Sequence, residues 1–149
     1  MRRWRHRDES GTALIEVTWL SLLLMIPLLY IVIAVFEVQR SAFAVSAAAR
    51  AAGRAYAVAP SEASGLDRAG AAAGIALADQ KLDEGLASVT VTCTPEPGNC
   101  LTPGSVIQVD VGYPVPLPLV PSALGGDTPS IRVDAVHRVP YGTFREDRP

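Results

Sequence analysis

From Val17 through Phe36 the chain runs twenty residues without a charged side chain, most of them Leu, Ile or Val. At about 1.5 Å per residue the run reaches about 30 Å, the hydrocarbon thickness of a bilayer, and predicts a transmembrane helix. The helix is expected to begin near Thr12, with Ser10 or Thr12 as cap and Asp8, Glu9 and Glu16 close to its positive end. Pro27 falls inside the span and removes one backbone hydrogen bond, which predicts a kink or local loosening. Glu37–Val58 then continues with high Ala content and no proline before Pro60. One helix from about Thr12 to Ala59, roughly 70 Å long, is therefore expected. Ala44, Ala48 and Ala52 share one face, Ala47, Ala51 and Ala55 the next, and Arg50 and Arg54 a polar stripe. Small residues at this spacing let another helix approach closely, although high helix propensity alone also accounts for them.

After Pro60-Ser61 a second helix is expected from about Ser64 to Leu86. Leu66, Ala73, Leu77 and one of Leu82 or Leu86 would face inward, with Asp67, Arg68, Asp79, Lys81, Asp83 and Glu84 in water. Gly65, Gly70 and Gly74 weaken its first half. The period then changes to two. Ser88–Cys93, Val106–Val111 and Ile131–Val139 alternate apolar and polar positions and predict three strands. His137 shares the apolar parity of the third. With no partner for a ligand or base role in view, it reads as a partly covered histidine at the end of a sheet. Between the second and third strands, Pro114, Pro116, Pro118 and Pro121 predict an extended polyproline-like path outside any central ladder. Such a segment serves equally as a subunit-contact loop or a stiff surface connection. The tail, 141–149, is expected to be exposed.

The expected architecture is α+β: a long N-terminal transmembrane helix, a second helix and a small antiparallel sheet of three or four strands. Its parts are a basic leader (1–11), the membrane helix with its extension (12–59), a small domain (60–140) and the tail.

Charge orients the span. The net charge of −2 conceals Arg2, Arg3, Arg5 and Arg7 crowded before it, with only Arg40 close behind and Arg50 and Arg54 farther out. The positive-inside rule then leaves the N-terminus in the cytoplasm and residues 37–149 outside the cell membrane. A cleaved signal peptide is the competing reading, because Ala42-Phe43-Ala44 offers a small-residue cleavage site. The apolar run exceeds the 7–15 residues of a signal core, which favours a retained anchor. Apolar residues make up 49% of the chain, but the span inflates the figure. The remainder, rich in Ala, Gly, Pro and Val, predicts a modest core that benefits from a partner surface.

Outside the cytoplasm, Cys93 and Cys100, separated by TPEPGN, are expected to form a disulfide that closes a turn. A metal site is disfavoured, since no His or further Cys completes a tetrahedral set. His6 reads as one more solvated residue of the leader. No nucleophile elbow, P-loop, H-E-x-x-H or cofactor-binding motif is present, so neither an enzyme nor a small-molecule substrate is expected. No basic patch with interleaved aromatics supports nucleic-acid binding.

The exception to explain is Glu16, an acid at the edge of the span, five residues after Gly11. A basic leader, Gly, four residues, Glu and a long apolar helix form the layout of type IV pilin-like precursors. The string GTALIEVTWLSLLLMIPLLYIVIAVFEVQRSAF, with its second acid at Glu37, resembles the TadE-like pilus assembly proteins, or pseudopilins. The resemblance covers about the first third of the chain. It implies cleavage by a prepilin peptidase between Gly11 and Thr12, leaving Glu16 as the fifth residue of the mature chain. It further implies assembly with other pilins and an inner-membrane platform in a tight-adherence (Flp-type) pilus system. Two departures stand out. Val17 follows the glutamate where Flp-type pilins usually carry an aromatic, with Trp19 two residues on, and the chain is far longer than a major Flp pilin. The length favours a minor component. Two other readings stay open: a permanently anchored extracytoplasmic binding module, and a domain secreted after Ala44.

Overall fold

The structure, a computed structural model, describes residues 10–117 and 129–148 and the side chains from Ala13 onward. The arginine-rich run 1–9, the stretch 118–128 with Pro118 and Pro121, and Pro149 lie outside the described residues.

Helix α1 (Ser10–Ala57) is a single helix of 48 residues, begun two residues earlier than Thr12 and ended two before Ala59. Pro27 lies inside it without ending it. It is long and apolar enough to cross a membrane. Every side chain from Ala13 to Leu29 is exposed. From Tyr30 one face becomes covered: Tyr30, Ala34 and Val38 are half-buried, and Ser41, Val45, Ala48 and Ala52 are buried. The helix thus divides into a bare N-terminal half and a packed C-terminal half.

Helix α2 (Glu62–Ala78) begins at Ser61, whose extended backbone and side chain cap it by accepting from the Ser64 N–H at 3.4 Å. Its buried stripe is Gly65, Ala69, Ala73 and Leu77, one residue per turn. The Tyr56 ring of α1 lies over Gly65, where an added Cβ would stand 3.0 Å from it. The glycine that weakens the helix locally is therefore where the two helices meet most closely.

The second helix stops eight residues short of the expected Leu86. Lys81 takes a left-handed φ of 59°. Its N–H reaches the Ala78 carbonyl at 2.8 Å, and the Leu82 N–H reaches Leu77 at 3.1 Å, the paired bonds of a Schellman ending. Leu82 packs back beside Leu77, and both are buried. Of the expected pair Leu82 or Leu86, Leu82 is therefore the one inside, while Leu66, also expected inside, is more than half exposed. A short 3-10 turn (Glu84–Leu86) leads into the sheet.

The sheet is antiparallel with order β1 (Ser88–Thr94), β2 (Val106–Pro116), β3 (Ser130–Pro140). Ile107, Val109, Val111, Tyr113 and Val115 of the central strand alternate onto the buried face. The face packs on α1: a Cβ at Gly53 would fall 2.9 Å from Val139 and 3.2 Å from His137. His137, paired with Val109 in mid-sheet and not at its end, is half-buried there. The opposite face is polar, with Arg138 donating to Gln108 at 2.8 Å and Arg132 paired to Asp134 at 2.8 Å.

The expectation for Pro114 and Pro116 is corrected. Both lie in the central strand, opposite Arg132 and Ser130. The Leu117 N–H donates to Pro129 at 3.0 Å, so by alternation the nitrogens of 114 and 116 point away from β3. On that side β1 has already ended, at Ser88 opposite Gly112. The missing donors face an open edge and cost the ladder nothing.

The tail is exposed over 142–147 as expected, and departs from the expectation at Tyr141 and in what its arginines hold. Tyr141 is buried, its N–H donating to Ser105 at 2.8 Å and its hydroxyl to the Glu146 carbonyl at 2.8 Å. Arg145 donates to the Ala57 carbonyl at 2.6 Å and Arg148 to Ala59 at 3.2 Å. Arg145 thus serves a carbonyl that α1 leaves free at its negative end, and Arg148 one in the turn that follows.

Among the described residues, Ser41 Oγ is the buried side-chain polar atom that lacks a hydrogen-bond partner. A buried hydroxyl without a partner costs about 1–3 kcal/mol, and alanine is the better helix former. Ser41→Ala is expected to raise the stability of the full chain in detergent by about 1 kcal/mol, read as an upward shift of the urea midpoint.

Candidate functional site

The two ends of α1 hold different chemistry. At the start, the Gly11–Thr12 bond falls within the first helical turn, not just before the helix as its spacing suggests. The first four N–H groups of a helix have no intrahelical acceptor, so this turn opens at little cost. Residues 12 and 16 stand one turn apart, about 6 Å along the axis. Glu16 is exposed, and among the described residues it makes no ion pair or hydrogen bond. Thr18, next along, returns its hydroxyl to the Leu14 carbonyl at 2.8 Å, so its polar group is satisfied within the helix. Glu16 is left as the ionisable group of the bare half.

Glu37 closes the apolar run at the far side. It pairs with Arg40 at 2.5 Å, one turn on. Both side chains are more than a third exposed, so the pair adds little stability and serves mainly to set where charge resumes.

The cysteines lie in the folded head, at the end of β1. Cys93 and Cys100 form the expected disulfide, with Cα atoms 5.2 Å apart. The sequence suggests a turn clipped at its base, and the structure adds what the clip holds. Glu62, in the first turn of α2, accepts the Cys100 N–H, and Ser105 donates to the Cys100 carbonyl. The bridge therefore ties the strand end to the start of α2. Close by, burial, and secondarily the Glu62 carboxylate, raise the Tyr56 hydroxyl above the ordinary tyrosine value.

The structure does not bring these groups into one constellation. Glu16 is separated from Tyr56 by 40 residues of helix, about 60 Å. The Ala44, Ala48 and Ala52 face is not free for another chain, since this chain's own head buries it. Ala47 remains exposed, and Ala51 and Ala55 half-buried. Arg145 and Arg148, which serve the far end of α1, escape sequence reasoning because their acceptors lie 88 and 89 residues away. No family model, curated protein or solved structure matches this chain.

Proposed function

We propose that the chain is a minor pilin-like subunit, a TadE-like pseudopilin. In this reading it is anchored in the cell membrane by the bare half of α1, carries its head outside the cytoplasm, and assembles in a tight-adherence (Flp-type) pilus system. The observation that carries the reading is the Gly11-x4-Glu16 spacing at the start of a helix whose first half is exposed and has no partner among the described residues. Such a half needs lipid, neighbouring helices or both.

The chemistry of the start is coherent with processing. Cleavage after Gly11 removes the arginine cluster that holds the N-terminus on the cytoplasmic side, which eases extraction from the membrane. It also creates an amine at Thr12, one turn from the Glu16 carboxylate. A carboxylate at mid-bilayer costs about 2.5–3.5 kcal/mol, less near the edge, and a neighbouring amine offsets it. That amine belongs to the same subunit or the next one. The implied partners are a prepilin peptidase, the inner-membrane platform and fellow pilins.

Intact mass and terminal sequencing of the membrane-extracted chain, with and without a prepilin peptidase, test the proposal. The expected mature chain starts at Thr12 only when the peptidase is present. A chain that always starts at Met1 moves the weight to a permanently anchored binding module, and one starting at Val45 to a secreted domain.

A further inference from the structure

Where α1 meets the lower end of the sheet, a largely apolar groove of about 310 Å³ lies between Tyr30, Ala34 and Val38 of the helix, with Gln39 as its polar member, and Ile131 of β3 and Leu117 just past β2. We propose that this groove is a second membrane-contact surface, taking acyl chains of the outer leaflet, so that the base of the head is seated in the bilayer and not above it. The inference rests on the reading of α1 as a membrane anchor and adds where the head stands on it.

Depth along the helix is the first argument. With Glu16 at the inner edge, twenty residues carry the span to Phe36, yet the sheet begins to cover the helix at Tyr30. Tyr30 is six residues, about 9 Å, below Phe36. Moving the inner edge to Thr12 does not lift the head clear, because twenty residues then end at Ile31, level with the same groove. In either frame the Leu117–Ile131 end of the sheet reaches the hydrocarbon boundary.

The order of chemistry up the head is the second. Ile131 is 45% exposed at the bottom of β3. Arg132 and Asp134, paired on the outer face, follow within three residues, about 10 Å of strand. On the helix, charge resumes at Glu37 and Arg40. An apolar base below a charged belt, with a tyrosine at the join, is the profile of an interfacial surface. The groove also borders Ile31 and Val35, exposed on the uncovered side of the helix, so lipid against the span has a continuous path into it.

The test uses the full chain reconstituted at low density in phosphatidylcholine vesicles, with nitroxide labels at single introduced cysteines. The native thiols are held in the Cys93–Cys100 bridge and do not react. Ile131→Cys reports the groove, and Leu117→Cys reports it independently from the residue that follows β2. Leu24→Cys marks the bilayer and Val136→Cys the outer face of the sheet. Labels at 131 and 117 are expected to be relaxed more by oxygen than by an aqueous nickel chelate, as at 24, with the reverse at 136. If 131 and 117 follow 136 while 24 stays in lipid, the head stands off the membrane and the inference is overturned, with the anchor intact. Aqueous exposure at 24 instead defeats the anchor reading itself. Shielding of 131 and 117 from both reagents means that protein fills the groove, with spin–spin broadening identifying a second copy, and also overturns it.

Discussion

Glu16→Ala is expected to abolish fibre assembly while leaving the chain in the membrane, the head folded and the Cys93–Cys100 bridge formed. The separation of effects follows from geometry. Glu16 is exposed on the bare half of α1, about 60 Å along the helix from the Tyr56–Gly65 contact, and no described residue of the head pairs with it. Alanine is the better helix former and removes a charge from the edge of an apolar span, so anchoring is strengthened if it changes at all. What disappears is the carboxylate one turn from residue 12. Glu16→Gln keeps the shape without the charge, and under the proposed pairing with an amine it fails like alanine, whereas Glu16→Asp retains partial assembly. Sheared-fibre yield, compared with the amount of chain in the membrane fraction, measures the effect. Normal fibre yield from Glu16→Ala would remove the pilin-like role and leave an anchor that any unrelated span could replace.

The long helix was legible because two uniform runs, one apolar and one alanine-rich, meet without a breaker until Pro60. The three strands were legible for the same kind of reason, a period of two held over six or more residues. The errors share a different cause: each depended on what a residue meets, not on what it is. Lys81 ends α2 in a left-handed conformation usually left to glycine, and the burial of Leu82 against Leu77 that accompanies it is a tertiary event. Pro114 and Pro116 sit in a central strand because β1 is too short to ask for their missing donors. Ala44, Ala48 and Ala52 signal close approach, but residue size does not say whether the approaching surface is this chain's or another's. At the candidate site, the place of Glu16 near the helix start was readable, whereas Gly11 lies inside the first turn and not before it, and the proposed role of both rests on motif chemistry that an isolated chain does not display.

Tyr141→Ala is the substitution expected to destabilise the head most among those considered, by about 3–5 kcal/mol, the range for truncating a large buried aromatic. Read as part of an exposed tail, the same change would fall within about 0.5 kcal/mol of neutral. The ring is 1% exposed and is among the largest fully buried side chains of the head. The Tyr141 backbone also continues the sheet into the tail, through its N–H to Ser105 and its carbonyl to the Gly104 N–H. Loss of the ring removes the surface over which the Arg145 guanidinium lies, 5.1 Å from its centroid, and so loosens the arginine that serves the Ala57 carbonyl. Tyr141→Phe keeps the ring and loses only the bond to the Glu146 carbonyl, a change of about 1 kcal/mol. Urea midpoints of the full chain in detergent, with the disulfide intact, separate the three outcomes. A small loss for phenylalanine and a large one for alanine means that packing of the ring, more than its hydroxyl, holds the tail across the end of α1. If alanine leaves the midpoint unchanged, the tail contributes no stability and water serves the last carbonyls of the helix.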